Sequence, residues 1–237
     1  MSWRIAARSV TPWTPAQIST ALWLDGADAS TVLLNGSNVS QWNDKSGNNR
    51  NVGQNTAVNR PIYTTNAING KNVLTWPSST NSTGLTNVSL SAFSPGRTFG
   101  VARWIGPTTF TTYNYLYSYG FSSTDEVIGN IASTSLFSGS LFMNGSSSAT
   151  ANVLGLMANV FIFASNRTAA SGRTVVSIGT DGGSDRGWQG LIAEVITTVS
   201  VPDTITKQLV EGYLAHKWGL TANLPNDHPY KVNPPYV

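Results

Sequence analysis

The 237-residue chain is expected to be all-β: a two-sheet antiparallel jelly-roll sandwich with one amphipathic helix near its C-terminus. Three observations lead there. From Ala21 onward, apolar and polar residues alternate with a period of two over short runs, the signature of half-buried strands. Clusters of Gly, Asn, Pro and Ser separate those runs, which is the spacing of sandwiches and barrels. Only 11% of residues are charged, against about 25% in an average domain, so long charged helices are not expected.

Residues 1–20 stand apart as an extended N-terminal arm, and residues 21–237 form the domain. The arm carries Trp3, Arg4, Arg8 and Trp13, and prolines at 12 and 15 hold the chain around Trp13 extended. Two readings stay open. The arm packs along its own domain, or those four residues anchor it to a neighbouring subunit, because interfaces enrich Trp and Arg. Strands are expected at residues 21–24, 39–42, 72–76, 98–104, 113–121, 140–143, 152–164, 173–178 and 191–199. The helix is expected at about 201–218. Ser200, Pro202 and Asp203 supply a start, and Ile205, Leu209, Val210, Tyr213, Leu214 and Trp218 recur at helical spacing. Gly219 is placed to end it. Residues 220–237, with four prolines, read as an extended strap.

Composition excludes several classes. Fourteen Lys and Arg against eleven Asp and Glu give a net charge of +3, but the cations are scattered, so no nucleic-acid footprint is visible. No apolar run approaches the ~18 residues of a membrane span. The chain has no cysteine, hence no disulfide and no thiolate metal site. Its first residues lack the apolar segment of a secretory signal, so the expectation is a chain made in a host cytoplasm.

Three segments resemble the concanavalin A-like lectin/glucanase superfamily in its laminin G-like form, found in bacterial and bacteriophage surface and virion proteins. The first is Ala21-Leu22-Trp23-Leu24-Asp25-Gly26-Ala27-Asp28. The second is Val39-Ser40-Gln41-Trp42-Asn43-Asp44-Lys45-Ser46-Gly47, followed by Arg60-Pro61 and Asn69-Gly70-Lys71. The third joins Gly190-Leu191-Ile192-Ala193-Glu194-Val195 to Val210-Glu211-Gly212-Tyr213-Leu214-Ala215-His216-Lys217-Trp218-Gly219-Leu220 and then to Leu224-Pro225 and His228-Pro229-Tyr230. The resemblance implies a jelly roll with its first and last strands side by side.

Enzymatic use of such a fold turns on carboxylates. Glycoside hydrolysis needs two facing carboxyl groups, about 5–9.5 Å apart. Glucanases of the superfamily resemble one another in carrying Glu-x-Asp-x-Glu patterns on one strand, whose alternate side chains share a face. Here the candidate strand acid is Glu194, expected to share a face with Ile192 and Ile196, and no second acid follows it. The chain has three Glu in all, at 126, 194 and 211. Neither His216 nor His228 completes a triad or a zinc site. The expectation is a protein without enzymatic activity, with Glu194 as a hydrogen-bonded structural anchor.

Two binding features remain. Calcium is common in laminin G-like relatives, and Asp181 and Asp185 supply two carboxylates in one loop; Asp25 with Asp28, and Asn43 with Asp44, are second choices. Asx capping of tight turns accounts for the same residues without a metal. Strand alternation would place Tyr113, Tyr115, Tyr117, Tyr119 and Phe121 on one face. Such a ladder serves as inner core, as a sugar-stacking platform or as an interface.

Together these lead to one expectation: a bacteriophage virion surface protein, a capsid decoration or head-fibre subunit, homo-oligomeric, in contact with other capsid or tail proteins and able to bind a cell-surface glycan. The alternative is a carbohydrate-binding adhesin at a tail tip or cell surface. A glycoside hydrolase is the remote alternative.

Overall fold

The computed structural model describes residues 11–78, 83–107, 114–120, 141–147, 149–150, 157–165, 171–180 and 187–237. Fourteen strands run in chain order: β1 (Thr20–Asp25), β2 (Val32–Asn35), β3 (Asn38–Trp42), β4 (Val52–Gly53), β5 (Ile62–Ile68), β6 (Lys71–Trp76) and β7 (Leu85–Asn87), then β8 (Thr98–Trp104), β9 (Tyr117–Ser118), β10 (Leu141–Met143), β11 (Ala149–Thr150), β12 (Phe161–Ser165), β13 (Val176–Ile178) and β14 (Gly190–Thr198). One long helix follows, α1 (Thr204–Trp218). Among the described residues every strand pairing is antiparallel. The fold is an all-β sandwich with a single C-terminal helix laid on it.

β14 is the central strand. β8 lines one of its edges, while β6 and then β1 share the other. The first and last strands are therefore neighbours, Thr20 opposite Thr198 and Asp25 opposite Glu194. β1 ends where β6 adjoins, at Gly26, whose N–H donates to the Ala193 carbonyl at 2.9 Å. A Cβ at Gly26 would stand 2.8 Å from that carbonyl oxygen, so only glycine fits the turn.

The two layers are one curled sheet rather than two separate ones. Hydrogen bonding passes round the corner from β6 through β5 to β3, where Asn38 opposes Ile62. The sheet then continues through β4, β7 and β13 to β9, which arrives back over β12. Tyr117 stacks on Phe163 there, with ring centroids 5.9 Å apart and planes at 14°. Between the layers lie Trp42, Trp76, Trp104, Trp188 and the aliphatic residues around them. A second apolar cluster fills the space between α1 and the outer face of β1, β8, β12 and β14.

Covered on both faces, β14 reads as a nearly continuous apolar run. Its pairing with β8 shifts register between Ile192 and Glu194. That bulge changes the expected faces. Ile192 and Val195 join the inner core, whereas Ala193 and Ile196 join the helix side together with the Glu194 side chain. Glu194 thus shares its face with Ile196, as expected, but not with Ile192.

α1 begins three residues later than its spacing suggests. Asp203, not Ser200, is the N-cap, accepting the Thr206 N–H at 2.7 Å. Gly219 ends the helix in the left-handed region at φ 71°. Val210, Leu214, Ala215 and Trp218 face the sheet, while Ile205 points away at 67% exposure. The C-terminal strap runs beside the described part of the expected arm: Trp13 N–H donates to Pro235 O and Val237 N–H to Thr11 O, both at 2.9 Å.

Several strands escaped the alternation pattern, among them β2, β4, β5 and β7. β5 alternates poorly, being mostly exposed or half-buried, and Asn66 breaks it with a positive φ of 54°.

Candidate functional site: a buried charge cluster under the helix

Charged side chains converge where β1, β14 and α1 meet. Glu194 comes from the centre of β14 and is fully buried. One carboxylate oxygen accepts the Trp23 indole N–H at 2.8 Å and the Tyr213 hydroxyl at 3.0 Å. The other accepts the Trp218 indole N–H at 2.7 Å and lies 2.8 Å from the Lys217 ammonium. Two donors on each oxygen satisfy the carboxylate, the condition for placing a charge inside a protein.

Lys217 continues the chain of charges. Its ammonium also reaches Asp25 Oδ1 at 2.7 Å and donates to the Tyr213 hydroxyl at 3.1 Å. Asp25 Oδ2 lies 2.9 Å from the Lys45 ammonium, which stands 2.8 Å from Asp28. Signs therefore alternate from Lys45 through Asp25 and Lys217 to Glu194. Lys45 also sits over the Trp23 ring at 4.5 Å, a cation–π contact.

Local structure explains the convergence. Asp25 and Glu194 are cross-strand neighbours in the β1–β14 register. Tyr213 and Lys217, four residues apart, lie one helical turn above one another on α1. Asp44 fixes the loop that carries Lys45: its side chain accepts the backbone N–H groups of Trp23, Ser46 and Arg50 at 2.9, 2.9 and 3.0 Å.

Burial pushes the Glu194 carboxyl above its ordinary value, against the pull of the Lys217 charge. Burial, with Glu194 beside it, also raises the Tyr213 hydroxyl, which stays a donor. For Lys45, burial works downward, but its bonds to Asp28 and Asp25 outweigh it and the ammonium is raised. The same Lys45 bond, with help from Ser30, lowers Asp28.

Chemically, the cluster is closed. A hydrolase would need Asp25 and Glu194 to flank a sugar, and a single ammonium already bridges them. Trp23, Tyr213 and Trp218 occupy the remaining lone pairs of Glu194. Calcium between Asp25 and Asp28 is likewise displaced by Lys45, and Asp44 is spent on backbone donors. Among the described residues, no three metal-ligating side chains come together.

The other expected sites lie elsewhere. Tyr115, Tyr117 and Tyr119 are buried, at 3%, 0% and 1% exposure. The Tyr119 hydroxyl bonds to Thr98 at 2.9 Å and also to Thr197. Tyr117 and Tyr119 belong to the inner core, Tyr115 is buried as well, and none of the three offers an open stacking face. Tyr113, Phe121, Asp181, Asp185, Trp3, Arg4 and Arg8 lie outside the described residues. Trp13, expected in the arm, is 5% exposed and meets Tyr213 edge-on at 6.0 Å. Residue patterning did not single out Tyr213 or Lys217 as partners of Glu194, nor Lys45 as the partner of Asp25. The four-residue spacing of Tyr213 and Lys217 was the available signal.

No family model matches this chain, and no curated protein matches it. Among solved structures, two of GH54 α-L-arabinofuranosidase are similar. One is a mutant soaked with 4-nitrophenyl α-L-arabinofuranoside and the other is soaked with a cyclic sulfate inhibitor. Each has a TM-score of 0.44 and 13% identity, covering 86% of this chain. This chain spans 60% of the length of those chains. The expectation of a capsid decoration or head-fibre subunit at a virion surface is corrected accordingly: the neighbours found are glycoside hydrolases, not virion proteins, and that reading is withdrawn.

Proposed function

We propose that this chain is a non-catalytic β-sandwich module of the concanavalin A-like type whose work is binding. The observation that carries the non-catalytic part is the enclosure of Glu194, a strand carboxylate placed centrally in the sheet. It is fully buried and holds a donor on every lone pair. A general acid or nucleophile must reach substrate, and this one reaches only its own domain.

The ligand class proposed is carbohydrate, held by polar groups rather than by the tyrosine ladder. Beside β4 and β7 lies a groove of ≈ 360 Å³ lined by Asn55, Thr56, Thr86, Val88, Thr180 and Gln54, whose amide is itself bonded to Gly84 O and the Thr56 N–H. Amides and hydroxyls are the complement of sugar hydroxyls, each donating and accepting. The test is a glycan array with purified protein, followed by calorimetry on any glycan retained. Binding weakened at least threefold by Asn55→Ala with Thr56→Ala supports the groove. Binding unaffected by that pair, or hydrolysis of the glycan, contradicts the proposal.

A further inference from the structure

We propose that Lys217 and Asp25 are the two ends of an intramolecular isopeptide bond, formed by the folded chain with Glu194 as its proton relay. This inference does not depend on the ligand of the module. It concerns what the charge cluster does to the chain itself.

Geometry supplies the reactants. The Lys217 amine lies 2.7 Å from Asp25 Oδ1 and 2.8 Å from Glu194. Side-chain exposure is 15% for Lys217, 6% for Asp25 and 0% for Glu194. Holding an amine against a carboxyl group at this distance replaces an encounter by a fixed orientation, the largest gain available to an intramolecular reaction. Water is largely excluded there, so the amine and the carboxyl group are held by each other and by their protein partners rather than by hydration. Trp23, Tyr213 and Trp218 supply that dry wall and hold the Glu194 carboxyl in place.

The step balances without any further reactant. The Lys217 ammonium passes one proton to Glu194 and becomes an amine. Its nitrogen lone pair attacks Cγ of Asp25, and the Asp25 oxygen held by Lys45 carries the developing negative charge. The second nitrogen proton and the one on Glu194 leave with Oδ1 as water. One C–N bond forms, one C–O bond breaks, and Glu194 is regenerated. Lys45 keeps Oδ2, which becomes the amide oxygen. The amide ties the start of the sandwich to its helix across 192 residues of sequence. Closing so long a loop removes chain entropy from the unfolded state.

The experiment is mass spectrometry on the whole purified chain, intact and after proteolysis. The expected result is an intact mass lower by one water and a branched peptide joining Lys217 to Asp25. Lys217→Arg should restore the full mass. Asp25 precedes Gly26, so a backbone succinimide would also lose one water; mild alkali reopens that ring and leaves the side-chain amide intact. A full mass in the wild-type chain, a loss reversed by alkali, or a branched peptide through Lys45 overturns the proposal. A bond that still forms in Glu194→Gln overturns the relay role. A full wild-type mass would leave the non-catalytic reading untouched, since that reading stands on the enclosure of Glu194 and is tested by glycan binding and hydrolysis.

Discussion

The Trp218 indole donates to Glu194 Oε2 at 2.7 Å, joining the last turn of the helix to the central strand of the sheet. Both residues are buried, at 1% and 0% exposure. Trp218 therefore does two things: it fills the space between helix and sheet, and it satisfies a carboxylate that has no access to water.

The two roles separate by substitution. Trp218→Phe keeps most of the ring and removes the donor, so it should cost about 1–3 kcal/mol for the bond lost at a buried charge. Trp218→Ala removes the packing as well, and truncations of this size cost roughly 3–5 kcal/mol. Urea denaturation of both variants measures the difference. Equal losses would show that the ring packing contributes nothing, and no loss in Trp218→Phe would show the same of the indole N–H.

The Lys45–Asp28 pair gives a pH dependence with a definite sign. Lys45, with help from Ser30, lowers Asp28 below its ordinary 3.8, so its contribution is complete above that value and fades as pH falls through the folded value. Lys45 is raised above 10.5, so its contribution is complete below that pH and is lost as pH rises further. The Asp28 side chain is 32% exposed and that of Lys45 23%, and the pair should be worth under about 1 kcal/mol after screening. Melting temperature against pH should decline less steeply at both extremes in Lys45→Met than in the wild-type chain. Parallel curves would contradict the assignment.

Hydrolysis should be undetectable with arabinans, β-glucans or bacterial surface polysaccharides, measured as released reducing ends. Turnover abolished by Asp25→Asn, in a variant that remains folded, would show that the ammonium between the two carboxylates leaves room for a substrate.

Much of the fold was legible because its central strands are strongly patterned. β1, β3, β6, β8 and β14 carry the apolar runs that the sequence shows plainly, and α1 carries a helical repeat ended by Gly219. The short strands β4 and β7 were not legible, since two or three residues hold no periodicity. Glu194 stood out as a lone strand acid, and its anchoring role followed from the cost of burying a charge. Its partners did not stand out. Asp25, Lys45 and Lys217 are far apart in sequence and meet only through the β1–β14 register and the seating of the helix. The tyrosine ladder left inner core, sugar platform and interface open, because alternation tells which residues share a face but not whether a second layer covers it. Tyr117 and Tyr119 lie in the inner core.

The central claim is that Glu194 holds the helix to the sandwich rather than acting on a substrate, and the unfolding free energy of Glu194→Gln tests it most directly. Four donors converge on this side chain. A glutamine offers one acceptor oxygen and turns an N–H₂ group toward the donors of the other, leaving buried donors unpaired whether Lys217 carries a charge or is bonded to Asp25. Each buried donor left without its acceptor costs about 1–3 kcal/mol, and denaturant titration should show a loss of at least about 2 kcal/mol. A variant within about 0.5 kcal/mol of the wild-type chain, inside the range of an ordinary surface substitution, would contradict the account.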